Sequence, residues 1–238
     1  MGRYERQLPL LGEEGQERLG RARIGVAGCG GLGTNVLTAL ASAGAGSLTI
    51  ADGDVPADSN LNRQYVYRSG QTRKKAHIME EWISSLNPGV SVSAFPERVT
   101  GDNAGEVFGG CDFLVDCLDS VSGRKMLNGY ALSSGKTLVH AGVSGFHGQV
   151  TVVAPGRTPC LECLLKMGDP ASPPPSIGAA VAFIGAAEAA EAIKIAAGLG
   201  SPLEGRLFTA DLLSGSFEVT EVRRDEACPA CGAQARRA

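Results

Sequence analysis

The chain has no long basic run. Its 22 lysines and arginines and 25 aspartates and glutamates are spread along 238 residues, for a net charge of −3. Nucleic acid is therefore excluded as the main ligand, because phosphate-backbone binding rests on counterion release at a concentrated positive face. An uninterrupted apolar span is also missing. The longest apolar segment, Gly178 to Gly200, is broken by Glu188, Glu191 and Lys194, so it reads as a packed alanine-rich helix and not a membrane span. The first residues, MGRYERQLPLLGEEGQ, carry charges where a secretory leader needs an apolar centre. Seven cysteines are an odd number for a disulfide framework, and a chain of this length builds a sizeable core without one. A reducing, cytoplasmic setting is expected. No internal repeat is present.

Against these absences, one stretch stands out. Ile24 to Asp52, IGVAGCGGLGTNVLTALASAGAGSLTIAD, opens as an apolar strand and turns through Gly28-Cys29-Gly30-Gly31-Leu32-Gly33. It continues as a small-residue helix and closes on a second strand, Ser47 to Ala51, ending in Asp52. Strand, glycine turn, helix, strand and acid within roughly 30 residues is the layout of a nucleotide-binding βαβ unit. Gly28 permits the tight turn, Gly30 and Gly31 let backbone N–H groups approach a phosphate, and Gly33 lets the helix sit close on the sheet. The helix N-terminus offers unpaired N–H groups and partial positive charge to an anion. Asp52 is placed to accept hydrogen bonds from ribose hydroxyls.

The rest of the chain continues the alternation. Met1 to Gly20 reads as a polar helical arm carrying Arg3, Glu5 and Arg6, and taken alone it reads as a solvated helix lying over the domain. Gly53 to Gln71 is a long polar loop, a feature more often functional than idle beside a phosphate-binding unit. Thr72 to Leu86 is expected to be a helix with Arg73, Lys74 and Lys75 in its first turn, where cations oppose the dipole and invite a bound anion. Val90 to Phe95 alternates as a strand, and Ala104 to Phe108 is a short helix. Asp112 to Leu118, DFLVDCL, is the apolar run of an interior parallel strand. It ends in Asp119, on the same rim as the glycine turn, and a helix follows from about Ser122 to Ser134. Thr137 to Ala141 and Gly148 to Val153 are further strands. Near Pro155 the composition shifts, marking a change of subdomain. A Pro-rich loop, the Gly178–Ala197 helix and two strand-like runs, Arg206 to Ala210 and Phe217 to Arg223, complete the chain. The expected class is α/β: a Rossmann-like, mostly parallel sheet with helices on both faces, plus a zinc-stapled C-terminal β/α extension. The parts are an arm (1–20), a nucleotide-binding core (21–155) and a stapled part (156–238) within one domain.

Three constellations carry chemistry. Cys160-x-x-Cys163 and Cys228-x-x-Cys231 are separated by 65 positions. Together they match tetrahedral, four-thiolate zinc with no vacancy for substrate, a structural staple. A redox dithiol in one pair is the rival reading, and it accounts for half of the four. Asp52, Asp54 and Asp119 form a possible Mg²⁺ set, since that ion takes oxygen ligands and keeps several waters. Arg63 and Lys75 are candidate phosphate clamps, Arg through paired N–H bonds and Lys as a point charge.

In order, GCGGLG, IADGD, SNLNRQ and DCLDS, with the paired CxxC motifs and an N-terminal RYERQ, resemble the ubiquitin-activating-enzyme-like adenylyltransferases of the ThiF/MoeB/HesA group over nearly the whole chain. The resemblance implies a homodimer that uses MgATP to adenylate the C-terminal glycine of a small ubiquitin-like sulfur-carrier protein ending in Gly-Gly, releasing pyrophosphate. It implies that Gly30 to Gly33 cradle phosphate and Asp52 holds the ribose. Asn60, Arg63, its neighbour Gln64 and Lys75 contact the nucleotide, and Asp119 holds Mg²⁺. Arg6 would reach into the partner subunit's site, which replaces the solvated-helix reading of the arm. Whether Lys74 or Lys75 is the phosphate lysine stays open, because the family has Pro immediately before that Lys. Some relatives carry a cysteine in the loop after the first CxxC. Here that loop reads Pro173-Pro174-Pro175-Ser176, so covalent capture there is not expected, and a separate protein would donate sulfur. Two other readings remain, an NAD-dependent oxidoreductase and a non-catalytic, zinc-stapled nucleotide-binding partner.

Overall fold

The computed structural model describes residues 2–166, 168–172 and 174–232; Pro173 of the proline run lies outside the described residues. The first helix, α1 (Leu8–Arg21), is broken at Gly12, whose φ of 69° leaves the helical region. It is not simply solvated: Gly15 and Leu19 are buried, and the arm before it is tied down. Tyr4 Oη accepts from Asn87 Nδ2 at 2.8 Å and Gln7 Nε2 donates to Ala43 O at 2.7 Å.

The βαβ unit forms as its pattern requires, with β1 (Arg23–Ala27), α2 (Gly31–Ala43) and β2 (Ser47–Ala51). Gly44, at φ 86°, ends α2 in the left-handed conformation that favours glycine. Next come α3 (Lys75–Leu86), β3 (Ser91–Phe95), α4 (Ala104–Phe108), β4 (Phe113–Asp116), α5 (Val121–Ser134) and β5 (Leu138–Ser144). The last elements are β6 (His147–Val153), α6 (Leu161–Leu164), α7 (Gly178–Ala197), β7 (Arg206–Asp211) and β8 (Ser216–Glu221).

The eight strands among the described residues lie in one sheet, in the order β3-β2-β1-β4-β5-β6-β7-β8. The pairs from β3 to β5 are parallel and those from β5 to β8 antiparallel. The composition shift near Pro155 therefore does not begin a new layer. The chain returns after α7 to extend the same sheet, because β7 finds an unpaired edge on β6. Strand periodicity divides the core in two. Ile24, Val26, Val115 and Val139 point to the face covered by α1, α2, α3 and α7, while Ala27, Leu114 and Leu138 point to the face of α4, α5 and α6. No helix among the described residues is long and apolar enough to cross a membrane.

Several expected boundaries move: β4 stops at Asp116 instead of Leu118, and β5 runs on to Ser144 instead of Ala141. The third helix begins at Lys75 instead of Thr72, with Lys74 extended as its N-cap residue. The main-chain N–H of Lys75 donates to Asp54 O at 2.9 Å, so the chain enters the helix from a bond to the preceding loop. Arg73 and Lys74 consequently lie outside the first turn: Arg73 pairs with Glu81 at 2.7 Å, and Lys74 Nζ donates to Gly53 O at 2.5 Å.

Candidate active site

The candidate site lies beyond the carboxyl ends of β1, β2 and β4, where the chain crosses from one side of β1 to the other, the position at which open α/β sheets bind ligands. Gly28 turns the chain at φ 98°. A Cβ on Gly28 would stand 2.6 Å from Cys117 O, and one on Gly33 only 2.1 Å from Gly28 O. These two glycines are therefore required by close backbone approach. A Cβ on Gly30 would meet nothing nearer than Gln64 Nε2 at 3.6 Å, whereas one on Gly31 would strike Val181 at 2.8 Å. Among the described residues, none accepts a hydrogen bond from the main-chain N–H of Gly30, Gly31, Leu32 or Gly33. Unclaimed donors at the head of a 13-residue helix make an anion seat.

Asp52 faces this turn. One of its oxygens accepts from Cys29 N at 2.8 Å and the other from Asp54 N at 2.8 Å. Each oxygen keeps a second lone pair for a ligand hydroxyl, so the residue shapes the turn and can still serve a ribose. Burial pushes its carboxyl above the usual range, while the Cys29 and Asp54 N–H groups and the Lys75 ammonium pull it back. Asp54, the other acid of the pair, has an exposed side chain lying 3.6 Å from Lys75 Nζ. Lys75 itself is only 5% exposed. A buried ammonium beside two carboxylates at the foot of the glycine turn distinguishes it from Lys74, which is exposed.

The Gly53–Gln71 loop folds back over the turn through a short 3-10 turn at Asp58–Asn60. Asn60 is half-buried. Arg63 is half-buried too, with Nη1 donating to Ser59 O at 3.0 Å and to Asn62 Oδ1 at 2.7 Å. Its aliphatic stem lies within 3.6 Å of a Cβ position on Gly31. Gln64 is 4% exposed, and its Oε1 has no hydrogen-bond partner among the described residues. An orphaned buried acceptor next to unclaimed N–H groups fits a polar ligand at the turn. Asp119 stands exposed three residues beyond the end of β4, past a short turn and not at the strand tip itself, without a partner among the described residues. One free carboxylate near a phosphate seat suits Mg²⁺, which typically takes one or two carboxylates with the substrate's phosphates.

Asp169, Pro175 and Ser176 are bonded to elements at the rim. Asp169 accepts from the N–H groups of Val121 and Ser122 at the head of α5, Pro175 O accepts from Gly145 N at 2.7 Å, and Ser176 O from Asn62 Nδ2 at 3.3 Å. Arg6 is exposed on the arm, away from these bonds.

The four paired cysteines meet at the sheet's other flank. Their sulfurs all lie within 4.8 Å of one another, with Cys160–Cys228 at 3.7 Å and Cys163–Cys231 at 3.5 Å. Four thiolates about 2.3 Å from a central zinc stand roughly 3.8 Å apart, so the cluster fits that ion. Burial pushes the Cys160 and Cys231 thiols up, a cost that a divalent cation reverses by binding thiolate. The knot also holds α5, since Leu161 N donates to Asn128 Oδ1 at 3.0 Å.

Two buried groups escaped sequence reasoning. Asp116 and His140, both fully buried, pair at 2.7 Å. Glu188 of α7 is also fully buried: Cys117 Sγ lies 3.6 Å from its Oε2, and its Oε1 is unpartnered. Desolvation, with Asp116 nearby, pushes the Glu188 carboxyl well up. The available signal was an ionisable residue set inside otherwise apolar runs, DFLVDCL and TLVHAG.

Comparison with known proteins adds an independent line. Residues 4–230 match the ThiF family. The chain is 39% identical to the sulfur carrier protein adenylyltransferase of Thermus thermophilus, the alignment covering 98% of this chain and 91% of that protein. It is 35% identical to the SAMP-activating enzyme E1 of Haloferax volcanii, over 98% and 89%. To the mouse adenylyltransferase and sulfurtransferase MOCS3 it is 38% identical, and there it spans about half of the relative's length, 53%. The crystal structure of E. coli MccB with ATP superposes with a TM-score of 0.86 over 97% of this chain and 74% of that one, at 21% identity, a likeness of fold.

Proposed function

The chain belongs to the ThiF family, and from that premise we propose that it is an ATP-dependent adenylyltransferase acting on a ubiquitin-like sulfur-carrier protein. The finer reading is activation of the carrier's C-terminal glycine carboxylate, in a thiamine, molybdopterin or related pathway of the cytoplasm. One observation carries it: at a single rim stand four unclaimed N–H groups, a buried ammonium on Lys75, the Arg63 guanidinium, and a free carboxylate on Asp119. That is a phosphate seat, a counter-charge and a candidate metal ligand along one rim of the sheet.

In the reaction a carboxylate oxygen of the carrier attacks the α-phosphorus of ATP. The new C(O)–O–P bond forms as the bond to pyrophosphate breaks, leaving acyl-adenylate and pyrophosphate. The N–H groups of Gly30 to Gly33 hold phosphate oxygens, Asp52 takes the ribose, and Asn60 and Gln64 line the nucleotide. Arg63 and Lys75 offset the negative charge that grows on the departing phosphates, which is largely electrostatic work. Asp119 would hold Mg²⁺, which would supply positive charge against the phosphates, and Cys160, Cys163, Cys228 and Cys231 would hold a Zn²⁺ that staples the fold. Arg6 would complete the hollow of the other subunit in a homodimer, and a separate protein would supply sulfur to the acyl-adenylate.

The test is ATP–pyrophosphate exchange with purified carriers ending in Gly-Gly, with the products weighed by mass spectrometry. Carrier-dependent exchange and an added AMP mass are expected. Exchange that is indifferent to carrier, or nicotinamide turnover in its place, overturns the reading.

A further inference from the structure

The buried pair Asp116–His140 has no part in the reaction just described, yet its bonds lead to the candidate metal ligand. Asp116 closes β4 and stands in register with His140 on β5. Its Oδ2 is 2.7 Å from His140 Nδ1, and its Oδ1 accepts from the main-chain N–H of Leu118 at 3.1 Å. The carbonyl of that same Leu118 accepts from Arg124 Nε at 3.0 Å. One residue earlier, Cys117 N donates to Ala27 O at 2.9 Å. The short turn after β4 is therefore pinned by three bonds at two consecutive residues, Cys117 and Leu118, and the next residue is Asp119. On the far side of the ring, His140 Nε2 lies 3.4 Å from Gln149 Nε2 on β6. An amide donor there makes Nε2 the acceptor and places the ring proton on Nδ1, aimed at Asp116.

Such a pair is poor value as mere core filling. Two apolar residues of the same volume serve stability as well or better, whereas a half-removed pair leaves an uncompensated charge. What an apolar pair cannot do is accept the Leu118 N–H and fix the rotation of the Asp116 carboxylate. We propose that His140 and Asp116, steadied by Gln149, are positioning residues. They orient the turn so that Asp119 meets the nucleotide's Mg²⁺ with its carboxylate already placed. This inference rests on the adenylyltransferase reading for the role of Asp119, but not on the identity of the carrier.

The experiment compares His140→Leu, which cannot donate to Asp116, with His140→Gln, which can. Calorimetry measures binding of Mn²⁺, as the probe for Mg²⁺, to the protein saturated with a non-hydrolysable ATP analogue; ATP-analogue binding without metal is measured alongside. Loss of a bond behind a ligand commonly costs 10- to 100-fold in metal affinity. The expected result is Mn²⁺ binding weakened about tenfold or more in His140→Leu, metal-free analogue binding unchanged, and recovery to within about threefold in His140→Gln. A folded His140→Leu protein with wild-type Mn²⁺ affinity overturns the proposal. Should that variant fail to fold, Asp116→Asn decides, because one amide oxygen must then serve both donors; wild-type Mn²⁺ binding in it is equally fatal. If neither variant folds, the pair is structural and the proposal falls. A wild-type protein that binds no metal–nucleotide at all sinks the adenylyltransferase reading itself, a result distinct from a wild type that binds and variants that match it.

Discussion

The glycine turn and the four-cysteine knot are built on opposite principles. The turn is built within one βαβ unit and remains open: among the described residues its N–H groups are unclaimed, and Gln64 Oε1, on the loop folded over it, is unpartnered. The knot joins pairs separated by 65 positions and is closed: Cys160, Cys228 and Cys231 are buried, Cys163 partly so, and all four sulfurs face one another. Local assembly leaves valences free for a ligand. Long-range assembly consumes them in holding the chain together. On the proposed function, the difference separates where the protein would react from where it would be fastened.

The comparison breaks most visibly at the knot. Cys228→Ser should abolish zinc binding and, with it, on the order of 10 kcal/mol of coupling between metal and fold. Metal analysis with limited proteolysis would show release of the segment after β8; a zinc-free protein with an intact C-terminal segment contradicts the staple. Next comes Gly33→Ala. Its Cβ would fall 2.1 Å from Gly28 O, a backbone atom that cannot swing away. A loss of about 3 kcal/mol is expected, read as a lower urea midpoint, together with loss of nucleotide binding. Wild-type stability would mean that the helix does not sit so close to the turn.

Arg63→Ala should leave the fold intact and lower carrier-dependent exchange by about 100-fold, close to 2.7 kcal/mol of transition-state stabilisation. A wild-type rate in that variant removes Arg63 from the chemistry. The smallest effect concerns Glu188, which lies under the sheet and belongs to neither region. Because its native carboxyl titrates well above the ordinary value, the folded protein keeps a proton that the unfolded chain has already released near neutrality. Stability is therefore whole below the unfolded value and declines as pH rises toward the native one. Glu188→Gln should raise the melting temperature by a few degrees at pH 8 and by less at pH 5, of the order expected for about 1 kcal/mol. Equal gains at both pH values would deny that burial keeps this acid protonated.

Much of this arrangement was legible in the residues. Spacing alone assigns Gly28 to the tight turn and Gly33 to close helix packing; in the fold Gly28 turns at φ 98°, and a Cβ on Gly33 would stand 2.1 Å from Gly28 O. The α7 bounds, Gly178–Ala197, follow directly from the alanine run and its flanking glycines. Other features could not be read. The start of α3 depended on a bond from Lys75 N to Asp54 O, a partner 21 positions away that no helix propensity encodes. The return of β7 to the edge of β6 likewise depended on an unpaired strand edge, which periodicity cannot show.

Alone, the sequence determined the βαβ unit with Asp52 at its end and the two thiol pairs, because each is a short-range pattern in which neighbours along the chain are neighbours in space. The tertiary structure alone decided that Lys75 and not Lys74 is buried beside the turn, that Asp116 and His140 share a proton-bearing bond, and that Glu188 is shut away from water. Those outcomes depend on which side chains the packed sheet places within about 3 Å of each other. Distance along the chain carries no information about that.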